Sequence, residues 1–150
     1  MRFTTKTEYG LICLIYMVKK AGGRPVTVKE IVSGERYSAA YTEKILQKLR
    51  AAKIVEAYHG QQGGYVLARD PSEIHLKEIV EALEGHTFAV YCEPRLRKYI
   101  VCTHFSLCGV KPVWHKTKEI LDEYYGSITL EMMAHHAIPS VPSESLRKSA

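Results

Sequence analysis

The sequence predicts a mainly α-helical protein with one small β-hairpin, and three observations support this fold class. Apolar residues recur at helical spacing in several stretches of the 150-residue chain. A glycine-rich turn at 60–64, G-Q-Q-G-G, separates two short alternating segments. A last long stretch of helical spacing follows an aperiodic, cysteine-containing segment at 86–111. A chain of this length suits one domain with an extended appendage.

The first helix is predicted over residues 6–20. Thr5-x-x-Glu8 matches a capping box at its start, and the glycine pair that begins at Gly22 ends it. Cys13 falls in an apolar run within this helix, and we interpret it as a small core residue.

The next two helices are predicted to form a helix-turn-helix. Thr27-x-x-Glu30 is a second capping box that opens a short helix, and Ser38 begins a third helix that runs to about residue 52. One side of the third helix is predicted to be apolar and consists of Tyr41, Ile45, Leu49 and Ala52. The opposite side combines a small residue, a mixed-charge pair and an amide, which suits a face that enters a major groove: Ala40, Glu43, Lys44 and Gln47.

Two strands at 54–59 and 65–68 are predicted to form a wing beside the helix-turn-helix. Its glycines allow the hairpin tip to approach a phosphate backbone closely, and its polar side chains are placed to reach minor-groove edges. We therefore expect double-stranded DNA as a partner. The predicted contacts are Arg2, Thr4, Ser38, Ala40, Glu43, Lys44, Gln47, His59, Gln61, Gln62 and Gly63.

The charge distribution agrees with a DNA-binding N-terminal half. Residues 1–70 carry 12 Lys and Arg against 6 Asp and Glu, a net charge of +6. Residues 71–150 carry 9 against 10, a net charge of −1. Basic side chains release counterions from DNA phosphates, so the positive half is the half expected to bind nucleic acid.

The C-terminal half is predicted to contain three further parts. A helix at 76–84, stopped by a glycine, completes a DNA-binding domain over 1–85. Residues 112–135 form a long helix whose apolar stripe exceeds what the rest of the domain can cover, so we expect a partner helix in a homodimer. The Ser- and Pro-containing tail at 136–150 is predicted to be disordered.

Three of the four cysteines cluster in a C-x9-C-x5-C pattern: Cys92, Cys102 and Cys108. An odd number of thiols cannot form a closed set of disulfides, and the spacing is not the C-x2-C of a zinc ribbon. The chain shows neither a signal-peptide pattern nor an apolar run near 18 residues, so we expect a cytoplasmic protein with reduced thiols and no membrane partner. This favours metal or redox chemistry at the three grouped cysteines.

The sequence predicts no enzymatic activity and no small-molecule substrate. It contains no Ser/His/Asp set, no P-loop and no dinucleotide-binding fingerprint.

The sequence resembles the Rrf2 family of bacterial winged-helix repressors over about residues 1–135. The resemblance rests on the opening M-R-F-T-T-K-T-E-Y-G, on Y-T-E-K-I-L-Q-K-L-R-A-A-K-I-V, on the wing G-Q-Q-G-G-Y-V-L and on the cysteine loop. It implies a homodimer with crossed long helices, palindromic operators and, in three-cysteine members, an iron–sulfur cluster near the dimer interface. A [2Fe–2S] cluster is predicted here, with [4Fe–4S] as the alternative.

Two branches of this family match the sequence. In the branch that controls iron–sulfur cluster biogenesis, an acidic residue at the position of Glu43 tunes site choice. That branch usually has C-x5-C-x5-C with a histidine ligand three residues later, whereas here the first gap is nine and the later position is Lys111. In the nitric-oxide-sensing branch, the partner subunit supplies an acidic ligand from the first helix, and Glu8 occupies that position. Glu8 is therefore the predicted fourth ligand, with His104, water or an exogenous thiol as alternatives.

Other interpretations use the same residues. A zinc-stabilised DNA-binding protein would use the same ligands and be colourless. A thiol-switch repressor would form a reversible disulfide and need no metal. A metal-free regulator could work as an interaction module for a protein partner.

Overall fold

The structure, a computed structural model, describes residues 4–35, 37–60, 63–89 and 107–138. Its elements in chain order are α1 (Thr5–Tyr16), a π-helical turn (Met17–Ala21), α2 (Val28–Glu35), α3 (Ala39–Ala51), β1 (Val55–Tyr58), β2 (Gly64–Leu67), a 3-10 turn (Pro71–Glu73), α4 (Leu76–Glu84), α5 (Val110–Ser127) and α6 (Leu130–Ala134). The mainly helical fold with one hairpin is therefore confirmed.

Helix α1 begins one residue earlier than its predicted capping box. Thr4 is the N-cap, and its side-chain oxygen accepts a hydrogen bond from the Lys6 backbone N–H at 3.3 Å. The predicted box of Thr5 and Glu8 is wrong: the Thr5 hydroxyl lies 3.3 Å from that of Tyr41, and the Glu8 side chain is exposed. Glycine does end the helical run, because Gly22 adopts a left-handed conformation (φ 55°) after the π-helical turn.

The helix-turn-helix is built as predicted. Glu30 closes the second capping box, since its Oε2 accepts from the Thr27 backbone N–H at 2.9 Å and its own N–H donates to Thr27 Oγ1 at 3.1 Å. Ser38 is the N-cap of α3. Ile45 and Leu49 of the predicted apolar side are buried, together with Thr42 and Leu46, whereas Tyr41 is half-buried and Ala52 is exposed.

The two strands form an antiparallel hairpin, with Val55 opposite Leu67 and Tyr58 opposite Gly64. A bridge to Val26 ties the hairpin to the segment that precedes α2. The wing is therefore fixed to the helix-turn-helix by backbone hydrogen bonds as well as by its apolar side chains.

The structure divides the predicted helix at 112–135 into α5 and α6. Ile128 is extended (φ −96°, ψ 122°), and Thr129 caps α6 by accepting a hydrogen bond from the Met132 N–H at 3.2 Å. The break turns α6 back onto the DNA-binding domain. There the Leu130 N–H donates to the Ile74 carbonyl at 2.8 Å, and the Ile128 carbonyl accepts from the Leu76 N–H at 2.9 Å.

One hydrophobic core joins the N-terminal helices, the wing and α6. Leu14, Ile31, Leu46 and Ile79 are fully buried in it, and Leu130 of α6 belongs to the same cluster. The core therefore contains residues from both sides of the predicted domain boundary at residue 85. The predicted tail at 136–150 lies almost wholly outside the described residues.

Candidate nucleic-acid interface and cysteine site

The predicted groove-facing side of α3 is exposed. Ala40, Lys44 and Gln47 are all exposed, while Glu43 is half-buried. Ser38 at the start of the helix is exposed, and its side chain makes no capping hydrogen bond. The N-terminus of a helix attracts anions, so this end of α3 is electrostatically suited to a DNA phosphate.

Glu43 links the wing to α3, the predicted recognition helix. Its Oε1 accepts a hydrogen bond from the Tyr65 hydroxyl at 2.6 Å, and the Gln47 side-chain amide lies 3.5 Å from the same oxygen. Burial raises the pKa of Tyr65 to about 12, and the hydrogen bond to Glu43 and its negative charge add to that shift. Tyr65 therefore remains a proton donor at neutral pH. Sequence patterns did not indicate this residue, because it falls on a strand and its partner lies 22 positions earlier.

The wing tip is closely packed on its own backbone. The Gly63 N–H donates to the Gly60 carbonyl at 3.0 Å, and a Cβ on Gly63 would lie 2.8 Å from the Tyr58 carbonyl oxygen. Gly60 has a φ of 126°, a conformation that favours glycine. His59 is exposed beside this turn, whereas Gln61 and Gln62 lie outside the described residues.

The N-terminus of α1 is held by a carboxylate from the end of α4. Glu84 Oε1 accepts from the Thr4 hydroxyl, from the Thr4 N–H at 3.3 Å and from the Thr7 hydroxyl at 2.7 Å, while Oε2 lies 3.2 Å from Lys6 Nζ. Burial alone would raise the pKa of Glu84, but these hydrogen bonds and the Lys6 charge outweigh it and lower the pKa to about 2. Thr4 is thus tied to α4, and the predicted DNA contact of Thr4 stays a prediction. Arg2 lies outside the described residues.

An aromatic cluster fixes α1 against the start of α3. The Tyr9 and Tyr37 rings stack with centroids 3.7 Å apart, and Tyr9 meets Tyr41 edge-on at 5.2 Å. These contacts orient the recognition helix relative to α1. Sequence analysis did not single out these tyrosines for this role, since helical spacing alone does not show which aromatic rings meet.

The structure describes two of the four predicted metal ligands. Cys108 is a half-buried free thiol that precedes Gly109, the N-cap of α5, and Glu8 is exposed on α1. Cys92 and Cys102 lie outside the described residues, as does His104. Among the residues that the structure does describe, no three His, Cys, Asp or Glu side chains form a group that could hold a metal ion.

The donor chemistry of the described residues is compatible with a soft metal or cluster. Cys108 is a free thiol and is partly accessible, as a ligand must be. Cys13 is a different case: burial, reinforced by the Glu35 charge, raises its pKa to about 12, so it stays a protonated core thiol. This agrees with its interpretation as a core residue.

Helix α5 packs on α4 with one side and presents an apolar stripe on the other. Asp122 accepts from Thr87 and pairs with Lys118 at 3.0 Å and with Lys77 of α4 at 3.5 Å. Trp114 remains 43% exposed although its ring contacts Phe88 with centroids 6.1 Å apart. The stripe consists of Val110, Val113, Trp114, Ile120 and Tyr124.

A helix-turn-helix with a polar exposed recognition face and an adjoining two-stranded wing defines the winged-helix class of DNA-binding proteins. Within the described part of the chain, none of the helices combines the length and the apolar character needed to span a bilayer.

Comparison with known proteins gives the family. The Rrf2 family model, described as an iron-dependent transcriptional regulator, matches residues 3–136. The chain is 31% identical over 140 residues to the transcriptional regulator CymR of Bacillus subtilis, covering 91% of each chain. It is 27% identical over 131 residues to IscR of Xenorhabdus nematophila, covering 87% of this chain and 77% of that protein.

Solved structures agree with the sequence matches. The structure of CymR, the global cysteine regulator of B. subtilis, has a TM-score of 0.73 at 29% identity and covers 91% of this chain and 98% of that one. The T. potens IscR structure has a TM-score of 0.70 at 28% identity and covers 97% and 96%. The chain belongs to the Rrf2 family of winged-helix transcriptional regulators and resembles IscR. The relatives compared are transcriptional regulators and not enzymes.

Proposed function

We propose that this protein is an iron–sulfur-dependent transcriptional repressor that acts in the cytoplasm as a homodimer on palindromic operators. Iron–sulfur cluster biogenesis genes are the proposed targets. The observation that carries the proposal is the grouping of three cysteines, the last of them Cys108, directly before α5 in an Rrf2-family winged-helix regulator. The resemblance to IscR supports it.

Cys92, Cys102 and Cys108 are the proposed protein thiolate ligands. The fourth proposed ligand is Glu8 of the partner subunit, because Glu8 occupies the position of the acidic ligand in the nitric-oxide-sensing branch and its side chain is exposed. When bound, the cluster would supply a centre that is altered or lost on oxidation or nitrosylation.

Contacts already present in the fold offer a route from the cysteine loop to the DNA-binding face. Cys108 adjoins α5, Asp122 of α5 pairs with Lys77 of α4, and Glu84 at the end of α4 holds the start of α1. The aromatic cluster then joins α1 to α3. We propose that binding of a cluster by the three cysteines of residues 92–108 biases the spacing of the two recognition helices in the dimer. By linkage, the cluster can shift the free-energy difference between the two dimer arrangements only by the difference between its binding free energies for them.

The test of cluster dependence is purification without oxygen, followed by visible absorption and by iron and acid-labile sulfide assays on the same sample. A brown protein with matching iron and sulfide is expected. A colourless protein that contains no iron and cannot be reconstituted would contradict the proposal.

Replacing one predicted ligand sharpens that test. We expect Cys102→Ala to abolish the visible chromophore, because loss of one of three protein thiolates leaves too few ligands. Cys13→Ala is the matched control, since Cys13 is a buried core thiol, and it should retain the colour. A Cys102→Ala protein with unchanged colour would remove Cys102 from the ligand set.

A thiol-switch or zinc-containing regulator is the second candidate function. The structural likeness to CymR, the global cysteine regulator of B. subtilis, is as high as the likeness to IscR. In addition, Lys111 stands where the biogenesis branch has a histidine ligand. A colourless protein that forms a reversible disulfide under oxidant would favour the thiol switch. One mole of bound zinc per chain would favour the zinc site. A protein with no disulfide and no zinc would favour a metal-free regulator.

A further inference from the structure

The backbone of Tyr65 is held by two neighbouring segments of the DNA-binding domain. Its backbone N–H and carbonyl pair with Val26 at 2.8 and 2.9 Å, and it lies opposite Ala57 in the hairpin. The neighbouring Gly64 backbone lies against the same segment, since a Cβ there would come within 2.5 Å of the Val26 carbonyl oxygen. The Tyr65 residue is only 8% exposed. The ring therefore has a fixed position relative to the helix-turn-helix.

The hydroxyl of this fixed ring meets the recognition helix at Glu43. The Tyr65–Glu43 hydrogen bond of 2.6 Å is short, as is typical when the acceptor is a carboxylate. Both Tyr65 and Gln47 approach the same oxygen, Oε1. Glu43 is half-buried, whereas Lys44 and Gln47 on the same predicted groove-facing side of α3 are exposed.

A carboxylate on this face restricts which bases can lie opposite it. An ionised carboxylate only accepts hydrogen bonds, and the donors in the major groove are the exocyclic amines of cytosine and adenine. A glutamate without a partner populates several rotamers, and fixing one of them in a complex costs entropy. A hydrogen bond from a rigid donor removes part of that cost and determines where the acceptor stands.

We propose that Tyr65 is a positioning residue for DNA sequence choice, which holds the Glu43 carboxylate in place so that the wing strand controls base selection by the recognition helix. The inference rests on the proposed function only in requiring that α3 binds DNA bases. Tyr65 itself need not touch DNA.

The experiment selects binding sites from a randomised duplex DNA library with the full-length protein at one fixed salt concentration. Wild type, Tyr65→Phe, Glu43→Ala and the double variant are compared. Kd values are then measured for the best duplex and for its single-base variants. Phenylalanine keeps the buried ring and removes only the hydroxyl, and thermal unfolding checks that each variant is folded.

The proposal expects Tyr65→Phe to weaken the preference at the same motif position that Glu43→Ala weakens. The Kd ratio between the preferred base and its competitor should fall by about five-fold, the value that corresponds to one net hydrogen bond. The double variant should show no greater change than Glu43→Ala alone. Glu43→Asp, whose shorter side chain withdraws the carboxylate from the hydroxyl, should also weaken that preference.

Tyr16→Phe is the matched control, because it removes the hydroxyl of a half-buried tyrosine on α1 whose ring lies beside Gly34 of α2 and not beside Glu43. It should leave the base preference unchanged. The proposal is overturned if Tyr65→Phe leaves the motif unchanged, if it lowers affinity uniformly over all duplexes, or if Glu43→Ala itself changes no position. A wild-type protein that enriches no motif would instead overturn the proposed function, and the inference with it.

Discussion

At the scale of single residues, Glu84 joins two ends of the DNA-binding domain that lie 80 positions apart in the chain. Its carboxylate accepts hydrogen bonds from Thr4 and Thr7 and pairs with Lys6 at the start of α1. Because the side chain is only 14% exposed, solvent screens these interactions weakly. Glu84 therefore acts as a long-range cap for α1.

We expect Glu84→Gln to lower the free energy of unfolding at pH 7 by about 1 to 3 kcal/mol, since glutamine keeps the size but loses the charge. The folded-state pKa is about 2, against 4.5 ordinarily, so this stabilisation is fully present above pH 4.5. It is lost as the pH falls towards 2. The difference between wild type and variant should narrow over that range, as measured by urea unfolding at pH 7 and pH 3.

Glu81→Gln serves as the control, because Glu81 lies on the same helix with its side chain exposed. It should change stability by less than about 0.5 kcal/mol. An equal loss in both variants would mean that the general charge of α4, and not the cap, is responsible.

At the scale of elements, α6 is the part whose role differs most from the sequence-based expectation. Leu130 is fully buried in the core of the DNA-binding domain although it follows the long helix α5. We expect Leu130→Ala to destabilise the protein by about 2 to 5 kcal/mol through loss of burial and creation of a cavity. Thermal and urea unfolding would measure the loss, and Glu131→Gln, an exposed neighbour, should be nearly neutral. A neutral Leu130→Ala would show that α6 is not part of the core.

The recognition helix carries a prediction about salt dependence. Lys44 is exposed on the groove-facing side of α3, so Lys44→Ala should weaken binding to all duplexes alike. If Lys44 contacts a phosphate, the slope of log K against log salt should fall in magnitude by about one. Lys116→Ala on α5 removes the same charge away from that face, and it should leave the slope unchanged. An unaltered slope in Lys44→Ala would remove Lys44 from the phosphate contacts.

Local patterns predicted most of the elements but not the contacts between distant ones. The Thr27–Glu30 box, the start of α3 at Ser38 and the wing depend on neighbouring residues, and the structure contains all three. The cap of α1 could not be predicted, because its partner Glu84 is distant in sequence and Thr5-x-x-Glu8 offered a plausible local alternative. The role of Tyr65 could not be predicted for the same reason, because its partner Glu43 lies 22 positions away in the chain.

The break between α5 and α6 also depends on tertiary contacts. Helical spacing continues through Ile128, so the pattern predicts one helix. The chain instead becomes extended there, because backbone hydrogen bonds to Ile74 and Leu76 and the burial of Leu130 favour a return to the core. The prediction of the groove-facing side of α3 did not depend on such distant contacts, and the residues on that side are largely exposed as expected.

At the scale of the whole molecule, the apolar stripe of α5 is the feature that predicts assembly. Val113 and Ile120 are 56% and 55% exposed on a helix whose other side is already packed on α4. Exposed apolar patches of this kind mark interaction surfaces. We expect Ile120→Glu to convert a homodimer into a monomer, because a charge cannot be buried unpaired between two helices.

Sedimentation or light scattering would measure that change in mass. Glu123→Ala, an exposed polar position on the same helix, should leave the dimer intact. Loss of the dimer should also weaken binding to a palindromic duplex far more than binding to a half-site. A dimer that survives Ile120→Glu would place the interface elsewhere.

The return of α6 to the core has a consequence for synthesis on the ribosome. The chain leaves the exit tunnel from its N-terminus, but Ile74 and Leu130 can only be buried together once residue 130 has emerged. Helix α5 is translated before α6, so it is synthesised while the core of the DNA-binding domain still lacks Leu130. Because the core includes Leu130, the DNA-binding domain can finish folding only after α5 and its exposed apolar stripe have been synthesised.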